Sequence, residues 1–565
     1  MAASNPQVQV KEEGDDLAER AANAVGATED PGAFDVRELM TAAGSLLEPG
    51  RVARQTVQLG LELIRILAGI SQVEIDPRDR RFKDPAWAEH PVYRRLGQAY
   101  MAYCRAVDES VASVGNGDWR NRERLNLLAD VLTSSLSPTN TLIGNPAALK
   151  HAFDTGGASL LRGLRSFVDD LRHNGGMPRH LDDGVFTVGK DLALSAGAVV
   201  FRNEILEIIQ YNPQTAKVYE RPILLMTPQI NKFYFLDLAP ERSFVEYAVK
   251  NGIQVFMVSW RNPSREHADW NLDSYCQALL EASDAVRSIT GTEDLNTFGF
   301  CAGGITMTAL LAHLADVGDE RVHSASYAVT LLDFSVPTMI GGLQSKPLLR
   351  HAAGRSRRKG VIEGKDLKLL FSWFRPNDLV WNYWVNNVLM GKTPPAFDIL
   401  AWNADPTNLP AGLHGDFLEL FANNHYVNPG AFNVLGSPAD LSKIKIDNFV
   451  TGAVSDHLTP WKACYRTTQL LNGPSSFVLS NAGHVASLVN PPSPKASYFV
   501  GRETVPDPEA WYETAEKRQG SWWEHWVAWV QPRSGEQRNA PRKLGNRAYP
   551  PLDAAPGTYI FEQPN

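Results

Sequence analysis

Apolar and polar positions divide this chain into two rhythms. From about Arg51 to Asn174, apolar residues recur at helical spacing. Val52, Val57, Leu59, Leu61, Ile64 and Leu67 stripe one predicted helix, and Tyr93–Val107 and Arg122–Leu136 read as two more. The proline- and charge-rich run Asp76–Pro85 breaks the pattern, Ser137–Asn140 is a turn, and Asn145-Pro146 opens a further helix. At Val199 the rhythm changes to short apolar runs alternating with helices. Ile205–Tyr211, Ala216–Tyr219, Pro222–Pro228, Ile253–Val258, Leu295–Phe300 and Ser324–Leu331 read as strands, with helices over Ser243–Lys250 and about Asp273–Ile289. Continuously apolar strands between helices predict a parallel sheet covered on both faces.

From Phe334 to about Leu441 the alternation stops. This stretch is helical and aromatic, with Phe371, Trp373, Phe374, Trp381, Tyr383, Trp384, Phe397 and Trp402. An insertion at this point of an α/β sheet is a common place for a lid, and its aromatics suit an apolar substrate or simply one another. The sheet pattern resumes at Ile446–Val450 and Phe477–Leu479, and a Trp-rich helix follows (Trp522, Trp523, Trp526, Trp529). The expected organisation is therefore a mobile acidic tail over residues 1–47, a helical domain over 48–198, and an α/β domain over 199–565 with a lid at about 334–441.

Composition narrows the function classes. The chain has 565 residues, 44% hydrophobic and 21% charged, as in water-soluble globular proteins. A net charge of −8 with no Lys/Arg-rich run argues against nucleic acid as the main partner. The four cysteines, Cys104, Cys276, Cys301 and Cys464, are scattered without metal-ligand spacing, as in a reduced cytoplasmic protein. No basic-then-apolar leader opens the chain, and the apolar stretch around Leu192–Phe201 is too short to span a bilayer.

The chemistry centres on Leu295–Thr306. A short apolar strand runs into Gly299-Phe300-Cys301-Ala302-Gly303, and an apolar helix follows. This is the Gly-x-nucleophile-x-Gly turn with cysteine as the nucleophile. Turning from strand to helix at one residue strains the backbone and demands tiny neighbours. The helix N-terminus then directs its positive end at the sulfur and at an oxyanion beside it. In an α/β-hydrolase sheet the acid and the histidine follow the nucleophile in that order, each on a loop after a strand. Asp456 and His484 meet both conditions. His457 is the rival histidine, but it adjoins Asp456 too closely to be oriented by it. The Ala302 N–H supplies one oxyanion donor, and the second is expected near Gln229-Ile230, on the loop after the Pro222–Pro228 strand. Cysteine in this frame favours acyl transfer from a thioester, since one sulfur ester is exchanged for another and the acyl group stays activated. The same frame also serves cysteine hydrolases and thioesterases.

Beyond this turn, the chain resembles polyhydroxyalkanoate synthases from about Phe82 onward. The resemblance is carried by Gly299–Gly304, Phe201–Glu204, Pro228–Tyr234, Val258–Pro263, Arg375–Tyr383, Asp456–Trp461, Gly483–Ala486 and Gly520–Trp523. It implies an α/β-hydrolase fold, the single-polypeptide type, and Cys301, Asp456 and His484 as the catalytic residues. It implies an (R)-3-hydroxyacyl-CoA substrate and a polyester that grows on the cysteine as CoA is released. No metal or other cofactor is implied. A homodimer at the surface of storage granules, among their associated proteins, is. Ile230 is the expected second oxyanion donor, and Trp381, Tyr383 and Asp237 are the substrate or lid candidates.

Overall fold

The computed structural model describes residues 49–113, 119–182 and 184–563. The expected acidic tail over 1–47 lies outside them. The chain divides into two compact units. One comprises residues up to Val185 with Met339–His351 and Asp366–Phe397; the other comprises Phe186–Thr338, Ala352–Lys365 and Asp398–Asn565.

The first unit is helical. Its helices include Pro49–Ala68, Pro91–Ser113, Trp119–Ser135, Pro146–Asp154 and Ala158–His173. Proline begins the fourth of these, where its missing N–H costs nothing, and Asn145 caps it by accepting from the Ala148 N–H. The apolar stripe of Pro49–Ala68 faces outward more than its periodicity predicts. Ile66 is buried, whereas Val57, Leu61, Ile64 and Leu67 are each more than half exposed.

The second unit is built on a ten-stranded sheet. Its strands are β1 (Gly197–Arg202), β2 (Leu206–Tyr211), β3 (Ile223–Met226), β4 (Val255–Trp260), β5 (Leu295–Phe300), β6 (Val322–Ala328), β7 (Asp447–Ala453), β8 (Ser475–Ser480), β9 (Ser497–Val500) and β10 (Glu516–Gln519). The spatial order is β1-β2-β4-β3-β5-β6-β7-β8-β9-β10. Neighbours from β4 to β8 are parallel, while β1, β2, β9 and β10 attach antiparallel at the two sides. The sheet is thus mixed where the apolar runs predict a parallel one. The expected strand around Ala216–Tyr219 leaves the sheet, because Lys217–Tyr219 pairs with Gln537–Asn539.

Every residue of β2, β3, β4 and β5 is buried, including the polar Glu207 and Gln210 of β2 and Asn296 and Thr297 of β5. One face of β5 carries Phe298 and Phe300. Phe244, from the helix Phe244–Lys250, packs its ring 5.6 and 5.9 Å from theirs. The Trp-rich helix Trp522–Val530 closes the same face, with Trp526 4.9 Å and Trp523 5.2 Å from Phe244. Burying each such side chain contributes about 1.5–3 kcal/mol, so this cluster anchors the strand that leads to Cys301. Trp522, Trp523 and Trp526 are therefore core. The opposite face is covered by Ala302–Val317 and Leu272–Thr290, which meet where Cys276 Sγ lies 3.8 Å from the Thr306 carbonyl.

Candidate active site

β5 ends at Phe300, and the helix Ala302–Val317 begins two residues later. Cys301 alone makes the turn, with φ 49° and ψ −122°. A side chain there costs of order 1–3 kcal/mol of backbone strain. Close approach explains the glycines on either side. A Cβ on Gly299 would fall 2.5 Å from Gly304 Cα, and one on Gly303 would overlap the carbonyls of Met226 and Thr227. The strain is held by backbone bonds: the Cys301 N–H donates to Ala328 O at 2.9 Å, and Cys301 O accepts from the Gly304 N–H at 3.0 Å.

Asp456 follows β7 and His484 follows β8, so parallel pairing of those strands brings the two loops side by side. His484 Nδ1 lies 2.7 Å from Asp456 Oδ2. The other carboxylate oxygen, Oδ1, accepts the backbone N–H groups of Leu458 and Thr459, both at 2.8 Å. Burial would raise the Asp456 pKa, but the His484 charge and these hydrogen bonds outweigh it and hold the carboxyl below its usual range. Burial pulls His484 the other way from its neighbours. The Asp456 charge and hydrogen bond, joined by a hydrogen bond and charge interaction with Cys301, prevail over it and raise the imidazole well above its ordinary value. Because Nδ1 is engaged by the acid, Nε2 is the nitrogen left for Cys301.

The His484 turn is pinned from below. Trp522 Nε1 donates to Ser487 O at 2.7 Å, one turn along the short helix His484–Leu488. Cys464 sits beneath the acid loop with Sγ 3.4 Å from Thr459 O, and burial pushes its thiol pKa well up.

Ala302 is the first residue of its helix, so its N–H has no acceptor within the helix. The loop carrying Ile230 passes beside it, since Gly303 packs against the Met226 and Thr227 carbonyls at the end of β3. That loop is tied on two sides. Gln229 Nε2 donates to Thr306 Oγ1 at 3.0 Å, and Thr407 Oγ1 donates to Gln229 O at 2.8 Å. Trp402 Nε1 donates to Lys232 O at 2.7 Å, and Lys232 pairs with Asp405 at 2.7 Å.

The remaining candidates are placed differently. Asp237 is buried, accepts from the Ser195 N–H at 3.1 Å and from Ser243 Oγ at 2.7 Å, and so ties the segment before β1 to the start of the Phe244 helix. Trp381 and Tyr383 belong to the helical unit. There Tyr383 stacks on His180 at 4.2 Å, and Trp381 meets Trp384 edge-on at 6.5 Å. Two residues around the triad candidates are not marked individually by the sequence pattern: Thr459 and Thr306. Their only signal is proximity to a motif, since each acts through a single hydroxyl. Among the described residues no group of three or more His, Cys, Asp or Glu side chains is arranged to hold a metal ion, and no helix is long and apolar enough to cross a membrane.

Two family models match the chain. The N-terminus of poly-beta-hydroxybutyrate polymerase (PhaC) matches residues 78–248, and the alpha/beta hydrolase fold matches residues 232–491. The chain is 48% identical to poly(3-hydroxyalkanoate) polymerase 2 of Ectopseudomonas oleovorans, over 92% of each chain. It is 45% identical to poly(3-hydroxyalkanoate) polymerase 1 of the same organism, over 93% of this chain and 95% of that one. It is 38% identical to the poly(3-hydroxyalkanoate) polymerase subunit PhaC of Cupriavidus necator, over 85% and 83%. With an α/β-hydrolase sheet, a strained cysteine turn and relatives of this identity over nearly its whole length, the chain belongs to the poly(3-hydroxyalkanoate) polymerase family of acyltransferases.

Proposed function

We propose that the protein polymerises (R)-3-hydroxyacyl-CoA into polyester with release of CoA, through a covalent acyl-enzyme on Cys301. The observation that carries this reading is the pairing of His484 with Asp456 at 2.7 Å, together with Cys301 on the strained turn between β5 and its helix.

In the proposed sequence the Cys301 sulfur attacks the thioester carbonyl and its proton passes to His484 Nε2. The carbonyl oxygen becomes an oxyanion, for which the N–H groups of Ala302 and Ile230 are the proposed donors. Collapse of this intermediate breaks the bond to the CoA sulfur, which leaves as the thiol with the proton from His484. The acyl group now sits on Cys301 as a thioester, still activated. For chain growth, His484 takes the proton of the 3-hydroxyl of a second hydroxyacyl-CoA, and that oxygen attacks the thioester carbonyl of the chain. One ester bond forms as the bond to the Cys301 sulfur breaks; the sulfur takes the proton back from His484, and the extended chain, now on CoA, returns to Cys301 by the first step with release of CoA. Asp456 holds the imidazole in the Nδ1–H tautomer and stabilises its cation in both halves. CoA is part of the substrate, and the sequence needs no cofactor. We also propose that the protein works as a cytoplasmic homodimer at the surface of polyester granules, among their associated proteins. The stretches shared with polyhydroxyalkanoate synthases support that assignment.

The test is to incubate the purified protein with (R)-3-hydroxybutyryl-CoA and, separately, (R)-3-hydroxydecanoyl-CoA, following CoA release and collecting insoluble product. Polyester formed with CoA release is the expected result. Release of CoA with only free hydroxy acid would make the protein a thioesterase and overturn the reading.

A further inference from the structure

Thr459 lies three residues beyond Asp456, on the same loop, and only 5% of it is exposed. Its Oγ1 donates to Asp456 Oδ2 at 2.6 Å and lies 3.1 Å from His484 Nδ1. Oδ2 therefore receives two partners, the hydroxyl and the imidazole, while Oδ1 is occupied by two backbone N–H groups. An ionised carboxylate can only accept, so the single hydroxyl proton goes to Oδ2. A lone pair of Oγ1 is then free to face Nδ1, and the Nδ1–H is shared between Oδ2 and Oγ1.

We infer that Thr459 is a positioning residue for the acyl transfer, setting how strongly Asp456 pulls on the His484 Nδ1 proton. The inference rests on the Cys301–His484–Asp456 reading above. By occupying one lone pair of Oδ2, the hydroxyl spreads the carboxylate's charge over four hydrogen bonds. By presenting an acceptor to Nδ1–H, it fixes the ring plane and leaves Nε2 as the base. The neighbouring Cys464 contributes to the same end, since its Sγ holds the Thr459 carbonyl from below. A purely structural threonine would need one hydrogen-bond partner; this hydroxyl lies between the two groups that handle the proton.

The experiment uses the full-length protein and compares Thr459→Val, Thr459→Ser and Asp456→Asn in the CoA-release assay from acid to alkaline pH, with Tm measured for each. Valine keeps the buried shape and removes the hydroxyl; serine restores it. Losing a hydrogen bond to a charged group predicts that Thr459→Val drops kcat roughly tenfold with KM little changed. The 2.6 Å bond to the carboxylate is the shorter of the two, so its loss concentrates charge on Nδ1–H and moves the acid limb of kcat to higher pH. Serine recovers both the rate and the limb. A Thr459→Val enzyme with wild-type kcat and pH profile, beside an inactive Asp456→Asn, would overturn this inference alone. Equal losses in the valine and serine variants with lowered Tm and an unmoved limb would do the same, reducing Thr459 to packing. An Asp456→Asn enzyme of near-wild-type rate would overturn the triad reading and this inference with it.

Discussion

His484 Nδ1 and Asp456 Oδ2 stand 2.7 Å apart although 28 positions separate the two residues in the chain. Adjacent parallel strands make this possible: β7 and β8 end together, and each delivers one partner on the loop that follows. Burial opposes both charges, and their mutual attraction prevails for both, lowering the acid and raising the imidazole.

Asp456→Asn removes the charge that raises His484 and leaves the burial that lowers it. The His484 pKa, read by NMR of the ring, should start above its ordinary 6.5 and fall in the variant. Stability carries the same sign. A histidine raised on folding contributes stability that is fully present below pH 6.5 and is lost as pH climbs through the folded value. Denaturation should therefore show the wild type ahead of Asp456→Asn by most in mildly acidic buffer, with the gap closing toward alkaline pH. An unchanged His484 titration in the variant would contradict the assignment of the pair.

Backbone strain at Cys301 predicts a stability–function trade-off. Cys301→Gly and Cys301→Ala both lose the sulfur, but only glycine relaxes at φ 49°. The glycine variant should be more stable than the alanine variant by about 1 kcal/mol in chemical denaturation. Both should be devoid of turnover. Equal stabilities would mean that the turn is not strained.

Gly303 tests the close approach between the nucleophile's helix and the end of β3. An added methyl meets the Met226 and Thr227 carbonyls, which belong to a fully buried strand end and have little room to yield. Gly303→Ala should cost about 1–3 kcal/mol of stability. It should also lower the rate by pushing the Ile230 loop away from Ala302. Full activity in a stably folded Gly303→Ala protein would show that the spacing of these two elements is not critical.

The parts of this site legible in the sequence are those where backbone geometry restricts residue type. Gly299 and Gly303 are demanded by contacts that no Cβ can enter, and Cys301, Asp456 and His484 each follow an apolar run that marks a strand. Thr459 and Thr306 leave no such trace, because a hydroxyl that reaches a neighbouring group imposes no periodicity. The edge strand β10 is equally silent. β10 is Glu-Lys-Arg-Gln with every residue exposed, so no apolar alternation announces it. The pairing of Lys217–Tyr219 with Gln537–Asn539 depends on a chain return more than 300 residues away, beyond the reach of local pattern. The helix Pro49–Ala68 keeps its apolar stripe, but Ile66 is buried while Leu61 and Ile64 stay exposed.

The central claim is a covalent acyl group on Cys301, and the most direct measurement is its capture. The protein is mixed briefly with labelled (R)-3-hydroxybutyryl-CoA, quenched in acid, digested and mapped by mass spectrometry, with Cys301→Ala in parallel. The account predicts an acyl mass on the peptide that carries Cys301, released by hydroxylamine and absent from the variant, which makes no polymer. An acyl group on a different residue, or polymer formed by Cys301→Ala, would contradict it.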